Sequence, residues 1–266
     1  MEFKVDYHIH TCFSDGKLTP AKIVKKFKDE EYDIIAITDH DGIDGLNEAK
    51  IAGETIELKV VPGVELSALI YNEISIHILG YNIDVNEINL KDSMLALKSW
   101  REDRNLKLID ILNSKGYKIT LQEIYNKKGN TYVGKPDIAR MLVEKGYISG
   151  VKQAFEKENG IFEVPEIKEL KKKKLDSSKA IEIIKNAKGT PVLAHPMKIK
   201  GLGDISSEKF FMNLDKLVRE LKKQGLKGME CFHPSAKEDD EKKLLSIAEK
   251  YHLHITKGSD FHGDNN

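Results

Sequence analysis

Over roughly its first 85 residues the chain alternates short β-branched runs with segments whose apolar side chains recur every three to four positions. That rhythm predicts parallel strands joined by crossover helices. The strand candidates are Phe3–His8, Asp33–Thr38, Glu57–Val61 with Gly63–Leu66, and Ile74–Gly80. A first helix is expected from Thr19 and Pro20, because threonine can cap free amide groups and proline suits the first helical position; it continues through Ile23, Val24 and Phe27.

From about residue 86 to 188 the pattern changes. Leu95, Leu97, Leu106, Leu108, Ile109 and Leu112 fall at helical spacing with no strong strand among them. The strand and helix rhythm returns with the strand Pro191–Ala194, a helix over Leu214–Leu221, the strand Gly228–Phe232, the helix Glu238–Tyr251 and a last strand His254–Lys257. The expected organisation is one α/β domain built from residues 1–85 and 189–266, with 86–188 inserted as a helical substrate cap. A length of 266 residues suits an α/β barrel as a single unit. The run Lys171 to Lys174 reads as a solvated helix face, or else as a phosphate-facing patch.

Composition narrows the setting. No apolar run approaches the ~18 residues of a membrane span, and Glu2, Lys4 and Asp6 interrupt any secretory h-region. Cys12 and Cys231 give no disulfide framework, so a soluble, cytoplasmic protein is expected. The 43 basic and 43 acidic side chains cancel, so any anion must be bound locally. No protein partner is evident.

The chemistry starts at Val5-Asp6-Tyr7-His8-Ile9-His10. Side chains two apart on a strand share a face, with Cα atoms about 6–7 Å apart, so His8 and His10 can reach one ion together. His252-Leu253-His254 has the same spacing but lies where a helix meets a strand. Functional groups of α/β barrels sit at the carboxyl ends of strands, so the second pair is read as structural. The strand-end position is filled repeatedly by metal-competent side chains. The candidates are His8, His10, Asp15, His40, Glu65, His77, His195, Asp260 and His262. Imidazole and carboxylate without thiolate suit Mn, Fe or Zn. Nine donors exceed the four of one closed tetrahedral site, which implies several ions. Glu65 is the natural bridge, since one carboxylate can span ions about 3.5–4 Å apart.

These motifs in order, Asp6-Tyr7-His8-Ile9-His10-Thr11, Ser14-Asp15-Gly16, Thr38-Asp39-His40-Asp41, Pro62-Gly63-Val64-Glu65, His77-Ile78-Leu79-Gly80, Ala194-His195-Pro196 and Gly258-Ser259-Asp260-Phe261-His262-Gly263, resemble the PHP (polymerase and histidinol phosphatase) superfamily of metal-dependent phosphoesterases. The resemblance implies a distorted seven-stranded β/α barrel and three divalent ions, Mn first, with Zn or Fe as alternatives. It implies one ion on His8, His10, Glu65 and Asp260, a second on Glu65, His77 and His195, and a third on Asp15, His40 and His262. The chain is most similar to the subgroup of nucleoside 3',5'-bisphosphate phosphatases and 5'-to-3' oligoribonucleases. Where that subgroup carries a Gly-Arg-Pro-His-type motif, this chain reads Gly134-Lys135-Pro136-Asp137-Ile138-Ala139-Arg140. It also has Ala236 where a second histidine often follows His233. The chain ends soon after Gly263, earlier than the resemblance leads one to expect.

The implied activity is hydrolysis of phosphate esters of nucleotides or short oligonucleotides. Cations lower the pKa of bound water, so a metal-held hydroxide attacks while the same ions neutralise phosphoryl oxygens. Glu65, His8, His10 and His77 would hold the ions that generate the nucleophile, and Lys135 or Arg140 would orient the phosphate. His233, at the same rim, either contacts substrate and protonates the leaving oxygen or is structural. Asp6 and Asp39 either orient imidazoles from behind or brace loops. A histidinol-phosphate-type phosphatase is the alternative enzyme, and a noncatalytic metal-stabilised binding module the alternative class. Amide hydrolysis fits less well, because phosphate has more anionic oxygens for the set Asp15, His40 and His262 to hold.

Overall fold

The structure, a computed structural model, describes residues 3–129 and 132–263. Its elements in chain order are β1 (Val5–Ile9), α1 (Pro20–Asp29), β2 (Ile34–Ile37), α2 (Leu46–Ile56), β3 (Lys59–Ile70), β4 (Ile74–Tyr81), α3 (Ile88–Ser114), α4 (Leu121–Lys128), α5 (Lys135–Glu144), α6 (Pro165–Lys168), β5 (Leu175–Asp176), α7 (Ser177–Asn186), β6 (Thr190–Leu193), α8 (Glu208–Gln224), β7 (Gly228–Phe232), α9 (Glu238–Lys250) and β8 (His254–Lys257).

The sheet order is β1-β2-β3-β4-β6-β7-β8, with the short β5 on the flank of β3. After β8 the chain returns to β1. His10 N–H donates to the Phe261 carbonyl at 2.8 Å, and Phe261 N–H donates to the His8 carbonyl at 3.1 Å. Those bonds close a seven-stranded α/β barrel. The first and last three strands of the ring run parallel, but β4 is antiparallel to both neighbours. The all-parallel expectation for the first 85 residues is corrected here. Tyr71 and Asn72 take left-handed φ values of 58° and 57°, and Glu73 N–H bonds the Ile70 carbonyl, so the chain reverses in a tight turn. Parallel neighbours need a crossover of a dozen or more residues, which this connection lacks. The two short strands expected around Pro62 are one strand, because Pro62 sits in register opposite Ile37.

Helix α1 forms as its sequence predicts. Thr19 Oγ1 accepts from Lys22 N–H, Pro20 opens the helix, and Pro20, Ile23, Val24 and Phe27 make its buried stripe.

The chain divides into two compact units: residues through Met94 with Lys174 onward, and Leu95–Lys173. The expected insertion therefore differs at both ends. Helix α3 runs unbroken through residue 94. Helix α7 belongs to the barrel, where a Cβ on Gly80 of β4 would lie 2.9 Å from Ile184, so the bare glycine admits the helix. The second unit has its own core, including Leu108, Leu112, Ile138, Leu142, Phe162 and Ile167.

Candidate metal centre

The barrel brings the strand-end donors together around Glu65, which is fully buried. Its Oε1 lies 2.9 Å from His77 Nδ1, 2.9 Å from His195 Nε2 and 3.4 Å from His8 Nε2. Its Oε2 lies 2.7 Å from His40 Nδ1 and 3.3 Å from His10 Nε2. Each oxygen thus faces a different set of imidazoles. The backbone enforces this: Asp41 N–H bonds the Glu65 carbonyl and Glu65 N–H bonds the Asp39 carbonyl, which zips the loop after β2 onto β3 and sets His40 beside Glu65.

Asp260 is divided in the same way. Its Oδ1 faces His10 Nε2 at 3.2 Å, His8 Nε2 at 3.5 Å and His262 Nδ1 at 3.6 Å. Its Oδ2 faces Lys198 Nζ at 2.5 Å and His233 Nε2 at 3.7 Å. Asp15 completes the far end, with Oδ1 3.0 Å from His262 Nε2 and Oδ2 3.8 Å from His40 Nε2. All nine sequence-derived donors therefore meet. The compact sets are His10, Asp15, His40 and His262; His8, His10 and Glu65; and His40, Glu65 and His77. His10, His40 and Glu65 each belong to two of these sets.

The donors fit divalent cations on their own evidence. The Nε2 atoms of His8 and His10 are buried and find no hydrogen-bond partner of acceptable geometry, a state that native interiors rarely leave uncompensated. His195 and Asp260 both hold positive φ, 26° and 54°, so the backbone stores strain where the donors meet. Electrostatics agree. Burial opposes a charge on Glu65, yet His40, His77 and His8 hold its carboxyl well below the usual range. Burial, then the neighbouring His40, pushes His10 down to about 3. Burial also opposes a charge on His8, but Glu65 and Glu230 raise it well above the ordinary imidazole value.

Glu230 and Lys198 are the residues that sequence reasoning missed. Glu230 on β7 is fully buried. Its Oε1 accepts from His8 Nδ1 at 3.0 Å and its Oε2 accepts from the His195 backbone N–H at 2.7 Å. Because a carboxylate can only accept, His8 carries a hydrogen on Nδ1, which leaves Nε2, directed toward Glu65 and Asp260, as the atom that a cation would take once its proton is displaced. The available signal was one acid inside the apolar strand Gly228–Phe232. By contrast, Asp6 accepts from the backbone N–H groups of His8 and Ser259, and Asp39 accepts from Thr11 and Ser14. Both brace loops, which corrects the suggestion that they orient imidazoles.

His233 has a fixed tautomer. Ser235 N–H donates to its Nδ1 at 3.0 Å, so Nε2 keeps the hydrogen and points toward Asp260. Lys198 follows from the 3-10 turn Pro196–Lys198 just after His195. A cleft of about 200 Å³ opens onto the cluster, lined in part by His40, His77, His195, Asp260, Lys198 and Ser75. His252 and His254 are exposed and join none of these sets.

Lys135 and Arg140 lie in the second unit. Lys135 Nζ rests 5.2 Å from the centre of the Phe162 ring, and burial, then Arg104, lowers its pKa. Arg140 Nη1 pairs with Asp137 Oδ1 at 2.6 Å, while Asp137 Oδ2 accepts from Gly134 N–H and Lys128 Nζ. Asp137, in place of the expected histidine, thus caps α5 and ties down Arg140.

The chain is similar to proteins of known activity over nearly its whole length. It is 29% identical over 98% of its residues to a 5'-3' exoribonuclease of Haemophilus influenzae, covering 91% of that protein. It is 26% identical to a phosphoribosyl 1,2-cyclic phosphate 1,2-diphosphodiesterase of Eggerthella lenta, covering 97% of this chain and 94% of that one. It is also 26% identical to a 3',5'-nucleoside bisphosphate phosphatase of Chromobacterium violaceum, covering 97% and 87%. The fold matches a candidate metal-dependent phosphoesterase from Bifidobacterium adolescentis with a TM-score of 0.81 and 26% identity, over 100% of this chain and 90% of that one. With this donor set and these relatives, the protein is a metal-dependent phosphoester hydrolase. The PHP domain model matches residues 6–188, and the chain belongs to that family. Among the described residues no helix is long and apolar enough to cross a membrane.

Proposed function

We propose that the enzyme removes the 5'-phosphate or 5'-terminal nucleotide from nucleoside 3',5'-bisphosphates and short oligoribonucleotides. The observation that carries this reading is the split presentation of Glu65, whose two oxygens face separate imidazole sets at the foot of an open cleft. The Haemophilus and Chromobacterium relatives supply the substrate class.

On this reading His8, His10, Asp15, His40, Glu65, His77, His195, Asp260 and His262 hold three divalent ions, Mn first and Zn or Fe as alternatives. Bound cations there would lower the pKa of water and neutralise charge on phosphoryl oxygens. The chain's own groups do the rest. Glu230 fixes His8 with its Nε2 directed inward. Lys198, beside Asp260 at the cleft wall, holds a non-bridging phosphoryl oxygen as a point charge. His233 offers its Nε2 hydrogen to the leaving oxygen. Lys135 and Arg140 of the insertion are further substrate contacts on this reading, with Arg140 first having to leave Asp137.

The test is a side-by-side assay of adenosine 3',5'-bisphosphate, short 5'-phosphorylated RNA and histidinol phosphate, each with Mn and with Zn. Turnover of the first two supports the proposal, and turnover of histidinol phosphate alone rejects it. The Eggerthella relative adds a second reading, cyclic-phosphate diester hydrolysis, so a five-membered cyclic ribose phosphate belongs in the same panel.

A further inference from the structure

Of the four consecutive lysines Lys171 to Lys174, only Lys174 belongs to the barrel unit. Lys173 instead rests over the Trp100 ring at 3.8 Å within the second unit. The run is therefore not one uniform solvated face. Lys174 directly precedes β5, whose register is fixed on β3 by the pairs Ala68 with Leu175 and Leu69 with Asp176. At the same level β3 pairs on its other flank with β4, Leu69 opposite Ser75. The lysine stem reaches across, and its ammonium donates a hydrogen bond to Ser75 Oγ.

Ser75 lines the cleft over the cluster. It shares a strand face with His77, two residues on, so the two Cα atoms are about 6–7 Å apart. His77 Nδ1 in turn lies 2.9 Å from Glu65 Oε1. A positive charge thus stands beside Ser75, one strand repeat along β4 from the donor His77. Lys198 lines the same cleft beside Asp260.

We propose that Lys174 and Ser75 form the recognition site for a second phosphate group of the substrate, whose reacting phosphate lies over the metal centre beside Lys198. The inference rests on the phosphoesterase reading above and deepens it. The ammonium supplies charge, and Ser75, which accepts from Lys174, still has its own O–H to donate to a phosphate oxygen. A simple monophosphate fills only the reacting position. A nucleoside bisphosphate, or an oligonucleotide with its next phosphodiester, fills both.

The test compares kcat/KM for adenosine 3',5'-bisphosphate and adenosine 5'-monophosphate in metal-loaded wild type and in Lys174→Met, Lys174→Arg, Ser75→Ala and Lys171→Met. Wild type should favour the bisphosphate. Lys174→Met should cut that preference about tenfold through the KM of the bisphosphate, the scale of one lost charge-assisted hydrogen bond. Ser75→Ala should move it the same way and Lys174→Arg should restore most of it. Lys171→Met, a charge change in the same run, should keep the wild-type ratio. An unchanged ratio in Lys174→Met, with metal content and melting temperature like wild type, overturns the inference. So does an equal fall in Lys171→Met. Wild type that cleaves both substrates equally removes the second-phosphate site alone, whereas wild type that cleaves neither removes the phosphoesterase reading beneath it.

Discussion

At the scale of single residues, the buried carboxylate of Glu230 decides how two imidazoles are presented. Both of its oxygens accept, one from His8 Nδ1 and one from the His195 amide. A glutamine there can accept only through its oxygen, so its NH2 group must face one of the two donors. Glu230→Gln should therefore weaken binding of the tightest divalent ion by about 10–100-fold, as loss of a carboxylate behind a ligating histidine typically does. Competition titration against a chromophoric chelator measures this, and wild-type affinity in the variant would show that Glu230 serves the fold alone. The same neighbourhood sets the pH dependence. Glu65 and Glu230 raise His8 despite its burial, and Asp15 raises His262, so both imidazoles hold protons in the metal-free protein at higher pH than usual. A cation must displace those protons, so its apparent affinity should fall as pH is lowered from 8 to 6. Calorimetry in buffers of different ionisation enthalpy should show proton release on binding, and an absence of release near pH 7 would contradict the assignment.

At the scale of elements, what could be read from the sequence depended on whether a segment's pattern had one structural meaning. Strands β7 and β8 span the residues expected of them, and α1 starts at its predicted cap. The convergence on Glu65 was legible because most donors, such as His10, His40, His195 and Asp260, follow a strand, and a barrel gathers strand ends on one rim; His8, Glu65 and His77 lie within β1, β3 and β4. Three features escaped. Pro62-Gly63 resembles a break but sits inside β3, where register with β2 holds it. The turn at Tyr71-Asn72 lacks a glycine, so the antiparallel β4 was hidden. Helix α7 looks like one more helix of the insertion, and its packing on β3, β4 and β6, with Ile184 against Gly80, assigns it to the barrel. Glu230 gave only the faint signal of one acid in a short apolar strand. The α7 contact is testable. A methyl group at position 80 would lie 2.9–3.0 Å from Ile184 side-chain carbons. Gly80→Ala should cost about 1–3 kcal/mol, the usual range for overpacking. Adding Ile184→Val should recover part of the loss in urea unfolding, and strictly additive losses would mean the two residues do not press on each other.

At the scale of the whole molecule, the two units differ in what they bury besides apolar side chains. The second unit carries a hydrophobic cluster of its own, with Leu108, Leu112, Ile138, Leu142 and Phe162 all nearly inaccessible to water. The barrel unit has an apolar core too, with Ile35, Leu66, Leu79 and Val192 inaccessible, but it also buries His8, His10, Glu65 and Glu230 completely, together with Asp39 and Asp41. Buried donors of that kind are stabilised by a cation and costly without one. Metal should therefore stabilise one unit and leave the other unchanged. At a free ion concentration a hundredfold above Kd, each independent site adds about 2.7 kcal/mol to the folded state. Chelation should then lower the first thermal transition by roughly 5–10 °C for each such ion removed, given about 2–4 °C per kcal/mol for a unit of this size. Hydrogen exchange resolves the origin. On metal removal, amides in β1, in the second half of β3 and in the segment around Asp260 should lose protection, while those of α4 and α5 keep theirs. Uniform loss across both units would place the stabilisation elsewhere, because an ion held at Glu65 acts first on the strands that carry its donors.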